Sequence, residues 1–217
     1  PKAAHDAGQV IDSAGFLVFT PDASPCRSTA AADAGGVMIT EILADPTEGA
    51  AGDTNGDGVR APADDEFVEI VTTGPRPVCL TGWTLGDTEV AERHVFPLGP
   101  PLEPGQTLVV FGGGVPTGRF DGAQVQWADG RLSLSNTGDV LTLRDDTGAV
   151  VDQVSWGDHA GGAPAANHWA GSLGIERSLV REPVAGSAWS THPDRDGSPF
   201  SPGTADPVQP GHRTEDP

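Results

Sequence analysis

The chain reads VMITEIL over residues 37–43 and EFVEIV over residues 66–71, two short apolar runs that lie between residues favouring turns. Comparable runs follow along the chain, and they cover residues 78–85, 107–111, 125–127, 140–143, 150–156 and 175–181. Short strands separated by turn residues are typical of an all-β sandwich or barrel. The pattern therefore predicts an all-β fold, in which DDTG at 145–148 forms a hairpin connection and the Gly- and Ala-rich residues 158–171 form a loop.

The composition agrees with this fold class. The 217 residues include 30 Gly and 20 Pro, which interrupt long helices, and hydrophobic residues make up 36% of the chain, enough for a globular core. The longest stretch without Gly or Pro, residues 63–73, is shorter than the roughly 20 apolar residues that span a membrane. We therefore expect neither a long helix nor insertion into a membrane.

The charge of the chain excludes several classes of partner and chemistry. Twelve Lys and Arg against 31 Asp and Glu give a formal net charge of −19, which repels nucleic acid and anionic membrane surfaces. The sole lysine, Lys2, excludes a GxxxxGK[ST] phosphate-binding loop and Schiff-base chemistry within a site. GGG at 112–114 is interpreted as a loop, because no helix pattern follows it to complete a phosphate site. We expect no nucleic-acid partner, and a metal cation is the small ligand that clustered carboxylates favour.

The sharpest local motif is DTNGDGVRAPAD at residues 53–64, which fits the D-x-[DN]-x-[DN]-G-x5-[DE] spacing of calcium-binding loops. In such loops, oxygens at positions 1, 3, 5, 7 and 12 converge on the ion, and Gly at position 6 permits the sharp turn. The sequence therefore predicts a bound Ca²⁺. The predicted ligands are the side chains of Asp53, Asn55, Asp57 and Asp64 and the main-chain carbonyl of Val59.

Two features separate this loop from an EF-hand. Predicted strands flank it instead of helices, and Pro62 stiffens its return to the following strand. Asp45, Asp65 and Glu66 lie close by in the sequence and are candidates for further ligands. The alternative is an Asx-rich turn without a metal, because Asp, Asn and Gly are also the ordinary residues of turns.

Cys26 and Cys79 are the only cysteines, so the chain offers neither a four-cysteine zinc site nor a CxxC redox motif. They either pair or remain free thiols. Pairing would close a loop of roughly 54 residues, worth about 4 kcal/mol by loop entropy, and it needs an oxidising compartment. We predict a Cys26–Cys79 disulfide in a secreted or cell-surface protein, in keeping with a chain that begins Pro-Lys without an initiating Met.

The order of motifs resembles the bacterial version of the lamin tail domain, an immunoglobulin-like β-sandwich. The resemblance covers roughly residues 36–204. It is carried by MITEI at 38–42, EFVEIV at 66–71, LTGWTL at 80–85 with Asp87, LEPG at 102–105, LSNTGD at 134–139, residues 143–152 around the Gly148 turn, SLVR at 178–181 and SPGT at 201–204. Thr40, and Thr72 or Thr73, stand where family members usually have Asn, and these departures leave the expected fold unchanged.

The resemblance implies a domain plan and a broad function. Residues 1–35 are expected to form an N-terminal arm, residues 36–204 the β-sandwich and residues 205–217 a flexible tail. Family members are non-catalytic modules of secreted or surface proteins, so we expect no catalytic residues and a role in adhesion, attachment or assembly. Glu41 and Glu69 could in principle serve as a pair of catalytic carboxylates. The resemblance places both in framework strands, where a hydrogen-bonding role is expected.

The arm carries FLVF at residues 16–19, within the segment 9–20. A run this apolar and this short is expected to add to the edge of a sheet. We predict that it forms an extra strand of its own sandwich, which makes the protein a monomer or a weak oligomer. Addition to a neighbouring copy, in a strand-swapped assembly, is the alternative.

Two other functions remain as alternatives, namely an accessory or weakly hydrolytic module of an extracellular degradative system and a carbohydrate-binding module. A hydrolase is disfavoured because the chain has no GxSxG motif and its six histidines lie at no zinc-ligand spacing. A carbohydrate-binding module would present a row of exposed tryptophans. Trp83 and Trp156 are expected in the core, whereas Trp127, Trp169 and Trp189 are less constrained. The expected partner is a protein or a surface glycan.

Overall fold

The structure, a computed structural model, describes residues 10–11, 17–18, 26–130, 132–159, 163–174, 176–182, 186, 188–193 and 197–204. The strands in these residues are β1 (Val10–Ile11), β2 (Leu17–Val18), β3 (Val37–Leu43), β4 (Phe67–Thr72), β5 (Thr84–Gly86), β6 (His94–Val95), β7 (Thr107–Phe111), β8 (Gln124–Trp127), β9 (Asp139–Arg144), β10 (Val150–Trp156), β11 (His168–Trp169), β12 (Leu179–Arg181) and β13 (Trp189–Thr191). Two short 3₁₀ turns cover Gly49–Gly52 and Ala165–Asn167. Among the described residues, no helix has the length and apolar character needed to cross a membrane.

Two sheets face each other and form a sandwich. The larger sheet has six strands in the order β13-β12-β3-β4-β7-β8, and only the pair β7–β8 is parallel. The smaller sheet has five strands in the order β11-β10-β9-β5-β6, and only the pair β10–β11 is parallel. The predicted all-β, immunoglobulin-like sandwich is therefore confirmed.

The main core lies between the two sheets and contains Trp83 and Trp156, both fully buried as the sequence predicts. Each indole N–H finds a partner at the rim of the core. Trp83 Nε1 donates to Ser28 Oγ (3.1 Å) and the Thr29 carbonyl (3.0 Å), and Trp156 Nε1 donates to the Ser135 carbonyl (2.7 Å). The two largest core side chains are thus buried without an unsatisfied donor.

The larger sheet is also covered on its outer face. Alternation along β4 and β7 sends every second side chain away from the main core. Outward residues of β4 and β7, together with Leu43 of β3 and Ala123 before β8, form a second apolar cluster. Its members are Leu43, Phe67, Val109, Phe111 and Ala123, and Phe120, Val125, Trp127 and Phe200 pack against it. Burial on both faces explains why every residue of β4 and β7 is buried.

The Cys26–Cys79 disulfide is confirmed, with an S–S distance of 2.04 Å. Hydrogen bonds of 2.9 Å run beside it, because the Thr29 N–H donates to the Cys79 carbonyl and the Cys79 N–H donates to Thr29 Oγ1. The Ala31 N–H donates to Asp145 Oδ2 at 2.8 Å. The disulfide and these hydrogen bonds therefore hold residues 26–34 beside the segment that contains Cys79 and leads to Trp83.

The prediction that the arm adds one strand to its own sandwich is wrong for the residues described. β2 pairs with β1 in an antiparallel two-stranded sheet, with Val10 opposite Val18, and neither strand belongs to the larger or smaller sheet. The physical reason is proximity along the chain, since pairing two nearby segments closes a short loop at a small entropic cost. The rest of the segment 9–20, including Phe16 and Phe19, lies outside the described residues.

Most predicted strands are confirmed, and β3, β7 and β10 have the predicted bounds. Residues 78–85 do not form one strand, because Gly82 adopts φ 79° and turns the chain. Only β5 and an isolated bridge from Val78 to Leu102 remain there. The loop predicted over residues 158–171 is wrong in part, since β11 lies within it and pairs with β10.

Candidate functional site

The loop of residues 53–64 is closed by hydrogen bonds at the spacing of the motif. Asp53 Oδ2 accepts from the Gly58 N–H (2.9 Å), Asn55 Oδ1 from the Asp57 N–H (2.9 Å) and Asp57 Oδ1 from the Val59 N–H (2.8 Å). Gly58 adopts φ 90°, which a residue with a Cβ rarely does. The side chains at motif positions 1, 3 and 5 therefore all turn back onto the same loop.

One oxygen in this loop lacks a protein partner. Asp53 Oδ1 is buried from solvent and accepts no hydrogen bond from the described part of the chain. Asn55, in contrast, is completely buried and its Nδ2 donates to the Gly113 carbonyl at 3.1 Å. Buried polar atoms normally have a partner, so Asp53 Oδ1 marks a place for a cation or a proton donor.

Asp65 fastens the two ends of the loop to each other. Its Oδ1 accepts from the Thr54 N–H (2.9 Å) and the Asn55 N–H (3.3 Å), and its Oδ2 accepts from the Ala61 N–H (2.7 Å). Burial raises the pKa of Asp65, although these hydrogen bonds act in the opposite direction. Both carboxylate oxygens are thus committed to the main chain, so Asp65 shapes the loop.

The predicted ligand at position 12, Asp64, lies against the glycine run 112–114. The Gly113 N–H donates to the Asp64 carbonyl at 3.0 Å, and a Cβ at Gly113 would collide with the Asp64 carboxylate. A Cβ at Gly114 would lie 2.5 Å from Asp57 Oδ2. Two of the predicted ligands therefore reach the same glycine run, a role that the sequence analysis missed because no local pattern links these segments.

The three predicted carboxylates do not already form a metal centre of their own. Within the described residues, no group of three or more His, Cys, Asp or Glu is arranged to hold a metal ion. A cation in this loop would therefore depend on the Asn55 amide and the Val59 carbonyl as well as on carboxylates. Those are the neutral oxygen ligands that calcium accepts.

Glu66, a candidate for a further ligand, is directed elsewhere. Its Oε2 accepts from the Leu134 N–H at 3.0 Å. Burial raises the pKa of Glu66 to about 8, with smaller opposing effects from this hydrogen bond and from Arg93. Glu66 is therefore a buried anchor for the segment after residue 131, and burial favours its protonated form.

A second group of buried acids, Glu41 and Glu69, lies across the β3–β4 pair, where the two residues are in register. Glu41 accepts from the Ser201 N–H at Oε1 (2.9 Å) and from Ser201 Oγ at Oε2 (3.0 Å). Glu69 Oε2 accepts from the Gly203 N–H at 3.0 Å. The two side chains therefore hold residues 201–203 against the outer face of the larger sheet.

Burial favours the protonated form of Glu69 in this pair. Burial, and next the charge of Glu41, raise the pKa of Glu69 to about 8. Further donors complete the network, since Thr40 Oγ1 donates to Glu69 Oε1 (2.9 Å) and Ser178 Oγ donates to Glu41 Oε1 (2.6 Å). The hydrogen-bonding role predicted for the two glutamates is confirmed.

The sequence model described as Lamin Tail Domain matches residues 30–158 of the chain. The chain belongs to the lamin tail domain family. The predicted family is therefore confirmed, together with its immunoglobulin-like fold. A search of curated proteins gave no match to the chain.

The lamin tail domain match runs from the segment beside the disulfide to the end of β10, and it includes the loop 53–64 and Cys79. It ends before β12 and β13, which complete the larger sheet, and before the closing segment that Glu41 and Glu69 hold. The two glutamates thus lie inside the matched region, whereas Ser201 and Gly203 lie beyond it. Lamin tail domains are typically non-catalytic.

Proposed function

We propose that this lamin tail domain is a non-catalytic module of an extracytoplasmic protein and that its loop 53–64 binds Ca²⁺ as a structural ion. The observation that carries the calcium proposal is the hydrogen-bond pattern of the loop. Asp53, Asn55 and Asp57 each accept a main-chain N–H of the loop, while Asp53 Oδ1 remains buried without a partner. A hard cation is the partner that suits such an oxygen.

The ion would be held by the side chains of Asp53, Asn55, Asp57 and Asp64 and by the Val59 carbonyl. Bound there, Ca²⁺ supplies positive charge that offsets the repulsion among the carboxylates. The loop is already joined to the connection between β7 and β8, because the Thr117 and Gly118 N–H groups donate to the Asn55 carbonyl at 3.0 and 3.1 Å. Binding of the ion by these residues would therefore strengthen the contact between the loop 53–64 and the β7–β8 connection, which is a structural role.

The Cys26–Cys79 disulfide supports an extracytoplasmic location, because such bonds persist in oxidising compartments. Extracellular modules can use weak calcium sites, with Kd on the order of 0.1 to 1 mM, because the medium supplies the ion. We assign the module to attachment, adhesion or assembly. Its partner in that role is a protein or a surface glycan, since the net charge of −19 disfavours nucleic acid.

Calcium binding is tested with Asp53→Asn, which keeps an oxygen to accept the Gly58 N–H and removes one negative charge. Calorimetry of the unsubstituted chain is expected to give a Kd of about 0.1 to 1 mM. A free calcium concentration ten times that Kd should raise Tm by roughly 3–5 °C above the Tm measured in the presence of chelator. The substitution should weaken binding about tenfold or more, because a ligand charge is lost.

The matched control is Asp146→Asn, an exposed aspartate in the β9–β10 turn. This variant should bind calcium as the unsubstituted chain does. If calorimetry shows no calcium heat and Tm is the same in calcium and in chelator, the calcium proposal fails and the loop is an Asx-rich turn.

A further inference from the structure

β8 is an open edge of the larger sheet. The strands at the edges of the two sheets are β13, β8, β11 and β6, and β8 is the longest of them, with four residues. Its sequence, QVQW, contains none of the charged residues or prolines that commonly protect an edge from a further strand. The edge is therefore suited to strand addition.

The main-chain groups of Val125 and Trp127 point away from the sheet. The Ala128 N–H donates to the Phe111 carbonyl of β7 at 2.9 Å. Because main-chain groups of successive residues in a strand point to opposite sides, those of Val125 and Trp127 face the open edge. Within the described residues, no hydrogen bond occupies them on that side. Two donors and two acceptors are therefore available to an extended peptide.

Two cavities lie along this edge, one at each of these two residues. The first, of about 340 Å³, contains Val125, with Phe120 and Ala123 in its apolar wall. The second, of about 410 Å³, contains Trp127 and is bounded on the other side by Val95 of β6. Cross-strand neighbours point to the same face of a sheet. Side chains two residues apart in an added strand, about 7 Å along it, would therefore reach the two cavities.

The charges of the second cavity favour a basic side chain. Glu92 lines it, is exposed, and forms no ion pair within the described part of the chain. Arg93 also lines it, but its charge is balanced, because its Nε lies 2.7 Å from Asp87 Oδ2 and its Nη2 lies 3.9 Å from Glu89 Oε2. A lysine or arginine would lay its apolar stem on Trp127 and bring its charge to Glu92.

The first cavity suits a neutral apolar side chain. Arg119 and Asp121 are exposed at its rim and carry opposite charges, so neither sign is favoured beside its apolar wall. Over the whole chain, the net charge of −19 attracts a basic segment and repels an acidic one. All five tryptophans are buried or half-buried, so the edge offers a glycan no row of exposed rings. The occupant that these features favour is a protein segment.

We propose that the β8 edge binds an extended, basic segment of a partner protein, which adds to the larger sheet as a further strand. It would pair with the main chain of Val125 and Trp127 and place an apolar and a basic side chain, two residues apart, in the two cavities. The proposal rests on the attachment role proposed above and names its partner. No predicted calcium ligand lines either cavity, so strand addition and calcium binding fail independently of each other.

The probe is the peptide Val-Thr-Arg-Thr-Val-Thr-Arg with both ends blocked, which alternates apolar and basic residues along one face in either chain direction. Titration into the full chain should give a Kd of about 1 mM or tighter by calorimetry, in calcium and in chelator alike. In the free chain, the amide hydrogens of Val125 and Trp127 should exchange faster than that of Gln126. Peptide at ten times its Kd should slow both about tenfold.

Changed peptides test the hydrogen bonds and the charge without altering the protein. One peptide is N-methylated at its Val and Arg residues and another at its Thr residues. A strand pairs with β8 through one edge only, so one of these two should lose at least tenfold in affinity and the other should keep most of it. Replacement of both Arg residues of the peptide by Glu should weaken binding at least tenfold, because Glu92 then repels the side chain.

Three variants locate the site on the protein. Val125→Pro removes one donor from the edge, where proline is compatible with a strand because the N–H faces solvent, and it should weaken binding about tenfold. Glu92→Gln should weaken binding about three- to fivefold, as expected for an exposed ion pair. Glu176→Gln, at an exposed glutamate before β12, is the matched control and should leave the affinity unchanged.

Three results would overturn the proposal. The first is the absence of binding in both media. The second is binding that neither N-methylated peptide loses, or that the acidic peptide keeps, because the main chain or the charge would then play no part. The third is a stable dimer of the chain alone that Val125→Pro dissociates, which would assign the β8 edge to a second copy.

Discussion

For Glu41 and Glu69, the sequence predicts the strands that contain the two residues but not the hydrogen-bond partners of their side chains. Their place in framework strands was predictable from the runs around them. Their partners were not, because Ser178 is 137 positions and Ser201 is 160 positions from Glu41. A carboxylate that serves as a long-range acceptor leaves no local pattern, since the donors are main-chain and hydroxyl groups that occur everywhere.

The raised pKa of Glu69 predicts a pH dependence of stability. Its folded value of about 8 lies above its ordinary value of 4.5, so between these values the folded protein holds a proton that the unfolded chain has released. The stability that this group contributes is therefore complete below about pH 4.5 and is lost as pH rises to about 8. Glu66, with a pKa also raised to about 8, contributes a loss of the same sign.

Glu69→Gln should remove the Glu69 part of this loss, because the amide is neutral at every pH and keeps an oxygen for the Gly203 N–H. The free energy of unfolding of the variant relative to the unsubstituted chain should grow by at least about 1.4 kcal/mol from about pH 5 to about pH 8, the equivalent of one pKa unit. Urea unfolding at several pH values measures this difference. Glu103→Gln, at an exposed position, should show no such trend. A difference that is constant with pH would contradict the raised pKa.

In the loop 53–64, likewise, the sequence predicts the contacts between nearby residues but not those with distant segments. The positions of Asp53, Asn55, Asp57 and Gly58 follow from the spacing of the motif, because their hydrogen bonds span only two to five residues. The contact of Asp64 with Gly113 joins segments that no pattern connects. Whether this loop holds calcium stays a prediction.

At the scale of elements, the longest strands were the predictable ones, namely β3, β4, β7, β9 and β10, which are five to seven residues long. The first four are buried almost throughout, and burial selects apolar runs. Only the last three residues of β10 are buried. β6, β11 and β13 were missed. They are two or three residues long, and pairing with the preceding strand (β5, β10 and β12 respectively), not local propensity, makes them strands.

The connection between β7 and β8 gives a prediction at the same scale. A Cβ at Gly112 would collide with the main-chain carbonyl of Ala63, and backbone atoms cannot move aside as a flexible side chain can. Gly112→Ala should therefore lower the free energy of unfolding by about 1 to 3 kcal/mol, measured by chemical denaturation. Gly99→Ala is the control, because the nearest atom to its added Cβ is 3.8 Å away, and it should change stability by less than about 0.5 kcal/mol. Equal effects of the two substitutions would contradict the close packing of Gly112 against the Ala63 carbonyl.

At the scale of the whole molecule, the disulfide and one aspartate decide where the arm ends and the packed domain begins. Asp145 accepts hydrogen bonds from Thr147 Oγ1 and from the Ala31 N–H, and these hold its pKa at about 2. A carboxylate that is ionised at every ordinary pH thus ties the segment after Cys26 to the β9–β10 hairpin. The sequence predicted the disulfide, but it could not predict that this segment also covers Trp83.

The part of the arm before Cys26 is expected to contribute little to the stability of the sandwich. β1 and β2 pair with each other, and the larger and smaller sheets are complete without them within the described residues. Deletion of residues 1–20 keeps the disulfide, so it should change Tm by no more than roughly 2 °C. Light scattering should give a monomer or a weak oligomer for both forms of the chain.

Each failure of this prediction has its own structural meaning. A large fall in Tm in a deletion variant that stays monomeric would show that the arm packs on its own sandwich after all. A stable multimer of the full chain that becomes monomeric on deletion would show that the arm joins neighbouring copies, because the only segment removed would then be the one that holds them together. That second result would favour assembly over attachment as the role of the module, since a strand that completes a neighbouring sheet repeats from copy to copy and builds a polymer.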